Sequence, residues 1–117
     1  MGEIMENVIE VKISKYRANS ARIFTGRDNG IKARQELDLN RIDDEQSNVR
    51  ILLPSDTWGI NPSFFGGLFE ASIKKYGNSF LKKYTFGYTN GEEISETLNR
   101  DIMDDINYTI RNMSVGK

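Results

Sequence analysis

Gly59-Ile60-Asn61-Pro62-Ser63-Phe64-Phe65 is the stretch whose reading decides the fold. The apolar run Val49-Arg50-Ile51-Leu52-Leu53 precedes it, and Leu68-Phe69-Glu70-Ala71-Ser72-Ile73 follows with apolar positions at helical spacing. A strand therefore ends, the chain turns, and a helix starts at Asn61-Pro62-Ser63. In an α/β sheet, the place where strand carboxyl ends meet helix amino ends is a common seat for ligands and partners.

The helix is expected over residues 62 to 76, with proline in its first turn and Gly77-Asn78 at its end. Phe65, Leu68, Phe69, Ala71, Ile73 and Tyr76 supply its buried stripe. Gly66-Gly67 is the anomaly, because each glycine costs ~1 kcal/mol against alanine inside a helix. Close approach of another backbone or of a partner would compensate; so would an irregular helix start. Before this helix, Val49 to Leu53 suits a central strand, and Pro54 stops it because proline cannot donate a ladder hydrogen bond. The loop Ser55-Asp56-Thr57-Trp58-Gly59 carries the only tryptophan, read either as packed with its indole N–H satisfied or as a contact residue, packing being the simpler.

Downstream, Tyr84, Phe86 and Tyr88 alternate with Thr85, Gly87 and Thr89, so a strand opened by Phe80-Leu81 runs to about Thr89. Thr89 with Glu92, or Asn90 with Glu93, has capping-box spacing. Ile94, Leu98, Ile102, Ile106 and Ile110 then fall four apart, and this helix should cover the sheet. Met103 and Met113 fill gaps beside the stripe, while Asp101, Asp104 and Asp105 form a solvated face.

Upstream, Ile9, Val11 and Ile13 alternate with polar residues and predict a strand over residues 7 to 15. Turn chemistry at Tyr16-Arg17-Ala18-Asn19-Ser20 and a second strand at residues 21 to 25 predict a hairpin. Helix formers from Ile31 to Leu37, with Asp28 or Asn29 as a cap, predict a helix over residues 28 to 38. Gly26-Arg27-Asp28-Asn29-Gly30 lacks the Gly-Lys-Ser/Thr ending of a phosphate loop and reads as a loop and cap. The polar residues 40 to 48 read as a surface connection, with Asp43, Asp44 and Glu45 solvated rather than metal-binding. The order strand, strand, helix, strand, helix, strand, helix implies an α/β fold. It would be a mixed sheet of about four strands flanked by about three helices.

The 117 residues suit one domain, with an ordered core over residues 7 to 113. Hydrophobic residues at 38% and charged residues at 28% are globular values. Sixteen basic and seventeen acidic residues leave a net charge of -1, which gives no bulk attraction to nucleic acid or anionic membrane. Cysteine and histidine are both absent, removing disulfides, thiolate nucleophiles, imidazole proton shuttles and nitrogen or sulfur metal ligands. No calcium-loop spacing, convergent acid–base pair, signal-like segment or membrane-length apolar run is visible. A cytoplasmic, non-enzymatic protein without metal or cofactor is the expectation, and the oligomeric state stays open.

Gly59-Ile60-Asn61-Pro62-Ser63-Phe64, the following Leu68-Phe69, the preceding apolar strand and Gly26-Arg27-Asp28-Asn29-Gly30-Ile31 together resemble the bacterial STAS-like domain of unknown function, which also occurs in mobile elements. That family is related to anti-sigma-factor antagonists, in which a serine at this helix start is phosphorylated by a GHKL-type kinase to release a partner. The resemblance places Ser63 at that position as the candidate phospho-acceptor. A phosphate there would meet the helix amino end, which favours anions. The plain alternative is a capping or first-turn serine worth ~1 kcal/mol. Where the family carries an Asp-Phe pair and acidic residues after the Ser-Phe, this chain has Leu53-Pro54 and Gly66-Gly67.

The resulting expectation is a protein-interaction and regulatory module whose partner surface is Trp58, Asn61, Ser63, Phe64, Gly66 and Gly67. Its partner would be a protein, such as a GHKL-type ATPase or kinase or its regulator. Two alternatives remain: a small-ligand or nucleotide-binding domain that uses the same helix end with Arg27 and Lys32 as anion contacts, and an inhibitor or accessory protein of a phage or mobile element that binds a host or viral enzyme and differs from the first reading in partner rather than mechanism.

Overall fold

The computed structural model describes residues 8–17 and 22–115. Its strands are β1 (Val8–Lys12), β2 (Ile23–Phe24), β3 (Asn48–Leu53), β4 (Gly59–Ile60) and β5 (Tyr84–Tyr88). Its helices are α1 (Arg27–Glu36), α2 (Leu39–Asp43), α3 (Pro62–Tyr76), α4 (Phe80–Lys83) and α5 (Glu96–Val115). The fold is α/β, and α1, α3 and α5 are the three expected helices.

The sheet differs from the expected one. β1, β3 and β5 form a parallel sheet in that order, and β2 and β4 form a separate parallel pair. No hairpin joins β1 to β2, although residues 18 to 20 of its predicted turn and residue 21 of its predicted second strand lie outside the described residues. The apolar β3 is the better neighbour for β1, and it aligns Ile9 with Val49 and Val11 with Ile51. β2 is drawn instead to β4: Trp58 N–H donates to Arg22 O and Asn61 N–H to Phe24 O, each at 2.7 Å. Phe24 also packs on Phe64, with ring centroids 5.1 Å apart.

Stepping from β1 to β3 to β5 crosses the sheet in one direction. Right-handed crossovers then put both connections on the same face. Burial agrees, since Val49, Ile51 and Tyr84 are sealed while Glu10, Lys12 and Thr85 of the other face are exposed. On the sealed face, Phe69 meets the rings of Phe65, Phe80, Tyr84 and Phe86 at centroid distances of 5.1 to 5.7 Å. Leu98, Ile102 and Ile106 of α5 join this core as the four-residue spacing requires.

Several boundaries moved for local reasons. Residues 40 to 48 are not a solvated connection, because α2 lies there and buries Leu39, Ile42 and Asp43. Phe80-Leu81 belongs to the short α4 rather than to a strand. The cap of α1 is neither Asp28 nor Asn29 but Gly26, at φ 93°, while Asn29 donates to Tyr16 O at 2.5 Å. Helix α5 starts later than the capping boxes at Thr89 or Asn90 imply. Ser95 caps it, its hydroxyl accepting from Leu98 N–H at 3.1 Å, and Asn90 instead receives Glu92 N–H within the preceding turn. Among the described residues, no helix is long and apolar enough to cross a membrane.

Candidate functional site

The corner between β4 and α3 follows from three consecutive residues. Asn61 holds the N-cap position in extended conformation, and its Oδ1 accepts from Ser63 N–H at 2.9 Å and from the Ser63 hydroxyl at 2.7 Å. Pro62 occupies the first helical position, where its missing N–H costs nothing. Phe65 N–H then donates to Asn61 O at 3.0 Å to begin the helical ladder. Asn61 is thus the cap, and Ser63 is an exposed second-position residue whose hydroxyl braces it.

Trp58 immediately precedes β4 and is 66% exposed. The packed reading of the indole is therefore overturned. The Arg22 guanidinium lies over its ring, 5.1 Å from the centroid. The corner does not present all of the expected contact residues. Phe64 points inward onto Phe24 and is fully buried, and Gly67 is buried between helices, so neither forms part of an accessible surface. Trp58, Asn61, Ser63 and Gly66 remain.

The Gly66-Gly67 anomaly separates into two cases. A Cβ on Gly67 would lie 2.3 Å from Arg27 O, and one on Gly30 would lie 2.3 Å from Phe64 O. These two glycines let the backbones of α1 and α3 touch where they cross. Gly66 has no such neighbour: its nearest atom is the Arg27 Nη1, at 3.1 Å from the same hypothetical Cβ. It lines an open groove of about 620 Å³ between α3 and α5, together with Arg27, Phe65, Glu70, Asp105 and Tyr108.

Charge in this groove is arranged across α3. Arg27 donates to Glu70 at 2.5 Å, and Lys74 approaches the same carboxylate at 3.5 Å. The Arg27 hydrogen bond, opposed by partial burial, holds the Glu70 carboxyl below its usual range. Asp105 behaves oppositely. Burial, then the neighbouring Asp101 and Asp104 charges, push its carboxyl up to about 6. It is half-buried in the groove wall rather than part of the solvated face expected for the three aspartates. The expected anion contacts are not brought together: Arg27 is committed to Glu70, while Lys32 lies towards Glu36, whose carboxyl is held low first by the Tyr16 hydrogen bond, then by Lys15, and least by Lys32.

A second cluster was not foreseen. Arg34 and Asp43 form a buried ion pair at 2.9 Å. Arg34 also donates to Leu68 O, Ser72 Oγ and Asn40 Oδ1, and Asp43 accepts from the Ser72 and Tyr84 hydroxyls at 2.5 Å each. Burial and then the Asp43 contact drive the Tyr84 hydroxyl upward, so it stays a donor. Among the described residues every buried side-chain polar atom has a hydrogen-bond partner, so the cluster ties α1, α2, α3 and β5 together. One signal could have revealed it: Arg34 falls on the same face of α1 as Gly30, Ala33 and Leu37. The neighbours of Asp43 diverge, Asp44 to Lys75 and Glu45 to Arg41. Among the described residues no cluster of acidic side chains is placed to hold a metal ion.

Comparison with protein-family models, with curated proteins and with solved structures finds no match.

Proposed function

We propose that this chain is a non-catalytic protein-interaction and regulatory module. It docks a protein partner on Trp58, Asn61, Ser63 and the Gly66 side of α3, and phosphorylation of Ser63 switches that docking. The observation that carries this reading is that Trp58, just before β4, and Ser63, at the capped start of α3 just after it, are both exposed. Exposed tryptophan and arginine are the residue types that most often anchor interfaces, and Arg22 already lies over the ring.

The switch has a local mechanism. Ser63, Gly66 and Glu70 follow one another at three and four residues along one face of α3, and Arg27 crosses that face to reach Glu70. A phosphate on Ser63 would compete with Glu70 for Arg27 and with Asn61 Oδ1 for the Ser63 N–H. The corner would then change both charge and shape. A GHKL-type kinase is the writer that the STAS-like resemblance implies, in a cytoplasmic setting. The anion-binding alternative is weakened because Glu70 occupies Arg27.

A photo-reactive residue at the neighbouring exposed Ser55 would capture the partner from native cells, and its affinity would then be measured for Ser63→Ala, Ser63→Asp and Trp58→Ala. Opposite changes for the two serine variants are expected, with a loss for Trp58→Ala. Equal affinity for both serine variants removes the switch, and wild-type affinity for Trp58→Ala removes the surface.

A further inference from the structure

The outer edge of β5 is a second place where the molecule is incomplete. β5 pairs only with β3 among the described residues, so one of its edges is unmatched. The direction of its backbone groups follows from two hydrogen bonds. Thr89 N–H donates to Leu53 O, towards β3, whereas Tyr88 N–H donates to Glu92 O, away from it. Because successive residues of a strand alternate, Phe86 presents its N–H and C=O outward, and Tyr84 its C=O. The Tyr84 N–H is taken by Phe80 O, and the loop at Glu92 covers the edge at Tyr88. Phe86 is left without a partner outside the strand ladder among the described residues.

This unmatched edge opens into a groove of about 550 Å³. Thr85 from one face of β5 and Phe86 from the other both line it, so it runs along the edge itself. Met103 and the exposed Leu81 give it an apolar floor. Its two sides differ in charge. Glu93 and Glu96 stand on the α5 side and make no ion pair among the described residues; Arg50 stands on the β3 side, its guanidinium lying over Gly87 with a 3.5 Å contact to Thr85 and no ion pair among the described residues.

The geometry points to a strand-addition site: a short extended segment of a partner protein pairs with β5 at Phe86, its basic residues facing Glu93 and Glu96 and its acidic ones facing Arg50. Side chains of an added strand alternate between the two sides, so charges of opposite sign must alternate in the segment. Main-chain hydrogen bonds to Phe86 supply the pairing, and the charges set the register. This site is separate from the Trp58 corner and does not depend on it.

The probe is a capped pentapeptide with a central valine, lysine at the second and fourth positions and glutamate at the ends. A second peptide exchanges the lysines and glutamates. Amide hydrogen exchange of the full chain is read by NMR, with the Tyr88 amide as an internal control because Glu92 already bonds it. The first peptide should slow exchange at Phe86 by about tenfold or more, and the second should bind about fivefold more weakly. The double variant E93K/E96K, at exposed positions, should invert that preference. An unchanged Phe86 amide at the highest peptide concentration overturns the proposal, as does an unaltered preference in E93K/E96K. Protection of Phe86 that rises with protein concentration in the absence of peptide also overturns it and assigns the edge to a second copy of the chain.

Discussion

Gly30 and Gly67 face each other where α1 crosses α3, each lying where a Cβ would come within 2.3 Å of a carbonyl oxygen of the opposite helix. Adjacent glycines in one helix therefore predict opposite outcomes. Gly67→Ala gains ~1 kcal/mol of helix propensity but forces the helices apart, for a net loss of about 1–3 kcal/mol. Gly66→Ala meets only the movable end of Arg27 and should stabilise by up to about 1 kcal/mol. Urea denaturation of both variants checks the crossing, and a stabilising Gly67→Ala would show that the helices do not touch there.

The Arg34–Asp43 pair predicts a large single-site effect. Arg34→Met removes the cation and leaves a buried carboxylate supported only by the Ser72 and Tyr84 hydroxyls. An uncompensated buried charge costs about 3–5 kcal/mol. Ser72→Ala removes one donor to Asp43 and should cost about 2 kcal/mol. Calorimetric or denaturant stabilities within about 0.5 kcal/mol of the parent for Arg34→Met would show that the pair does not form.

Which of these features could be read from the chain depends on how local their causes are. Helix α3 was legible because Pro62 and Gly77 bracket it, and α5 because its apolar stripe repeats within the helix. The pairing of β1 and β2 was not, since alternation at Ile9, Val11 and Ile13 marks a strand without naming its neighbour. That choice is made by β3, some forty residues away, and by the Trp58 and Asn61 amides. The polar run containing Asp43 misled for a related reason: its partners, Arg34, Ser72 and Tyr84, lie in three other elements. At the candidate site, the accessible Ser63 could be foreseen from the helix start. The inward turn of Phe64 could not, because Phe24 sets it from a separate strand.

Asp105 predicts a pH dependence with a definite sign. Its folded carboxyl sits at about 6, above the ordinary value of 3.8, so the folded state holds its proton more tightly than the unfolded chain does. Stability from this group is therefore present below about pH 4 and is lost as pH rises towards 6. Allowing for solvent screening, Asp105→Asn should stabilise by about 1 kcal/mol at pH 7 and be nearly neutral at pH 3.5. Glu70 is shifted the opposite way by Arg27, so the comparison must be with the parent at each pH rather than along one profile. A stability difference independent of pH would place Asp105 in open solvent.

Trp58 predicts a separation between stability and recognition. Its side chain is mostly exposed, while its backbone N–H, which donates to Arg22 O, survives substitution. Trp58→Ala should therefore change stability by no more than about 0.5 kcal/mol. Arg22→Ala removes an exposed cation–π contact and a charge that acts weakly on Asp56, and should cost less than about 1 kcal/mol. The indole emission of the parent should resemble that of a solvated tryptophan and be quenched freely by acrylamide. Burial of the ring by a partner should shift that emission to the blue and shield it from the quencher, with a loss of 2 kcal/mol or more of binding, roughly, on truncation to alanine. If Trp58→Ala instead destabilises the free protein by several kcal/mol, the ring is packed, and its exposure cannot be the basis of an interface.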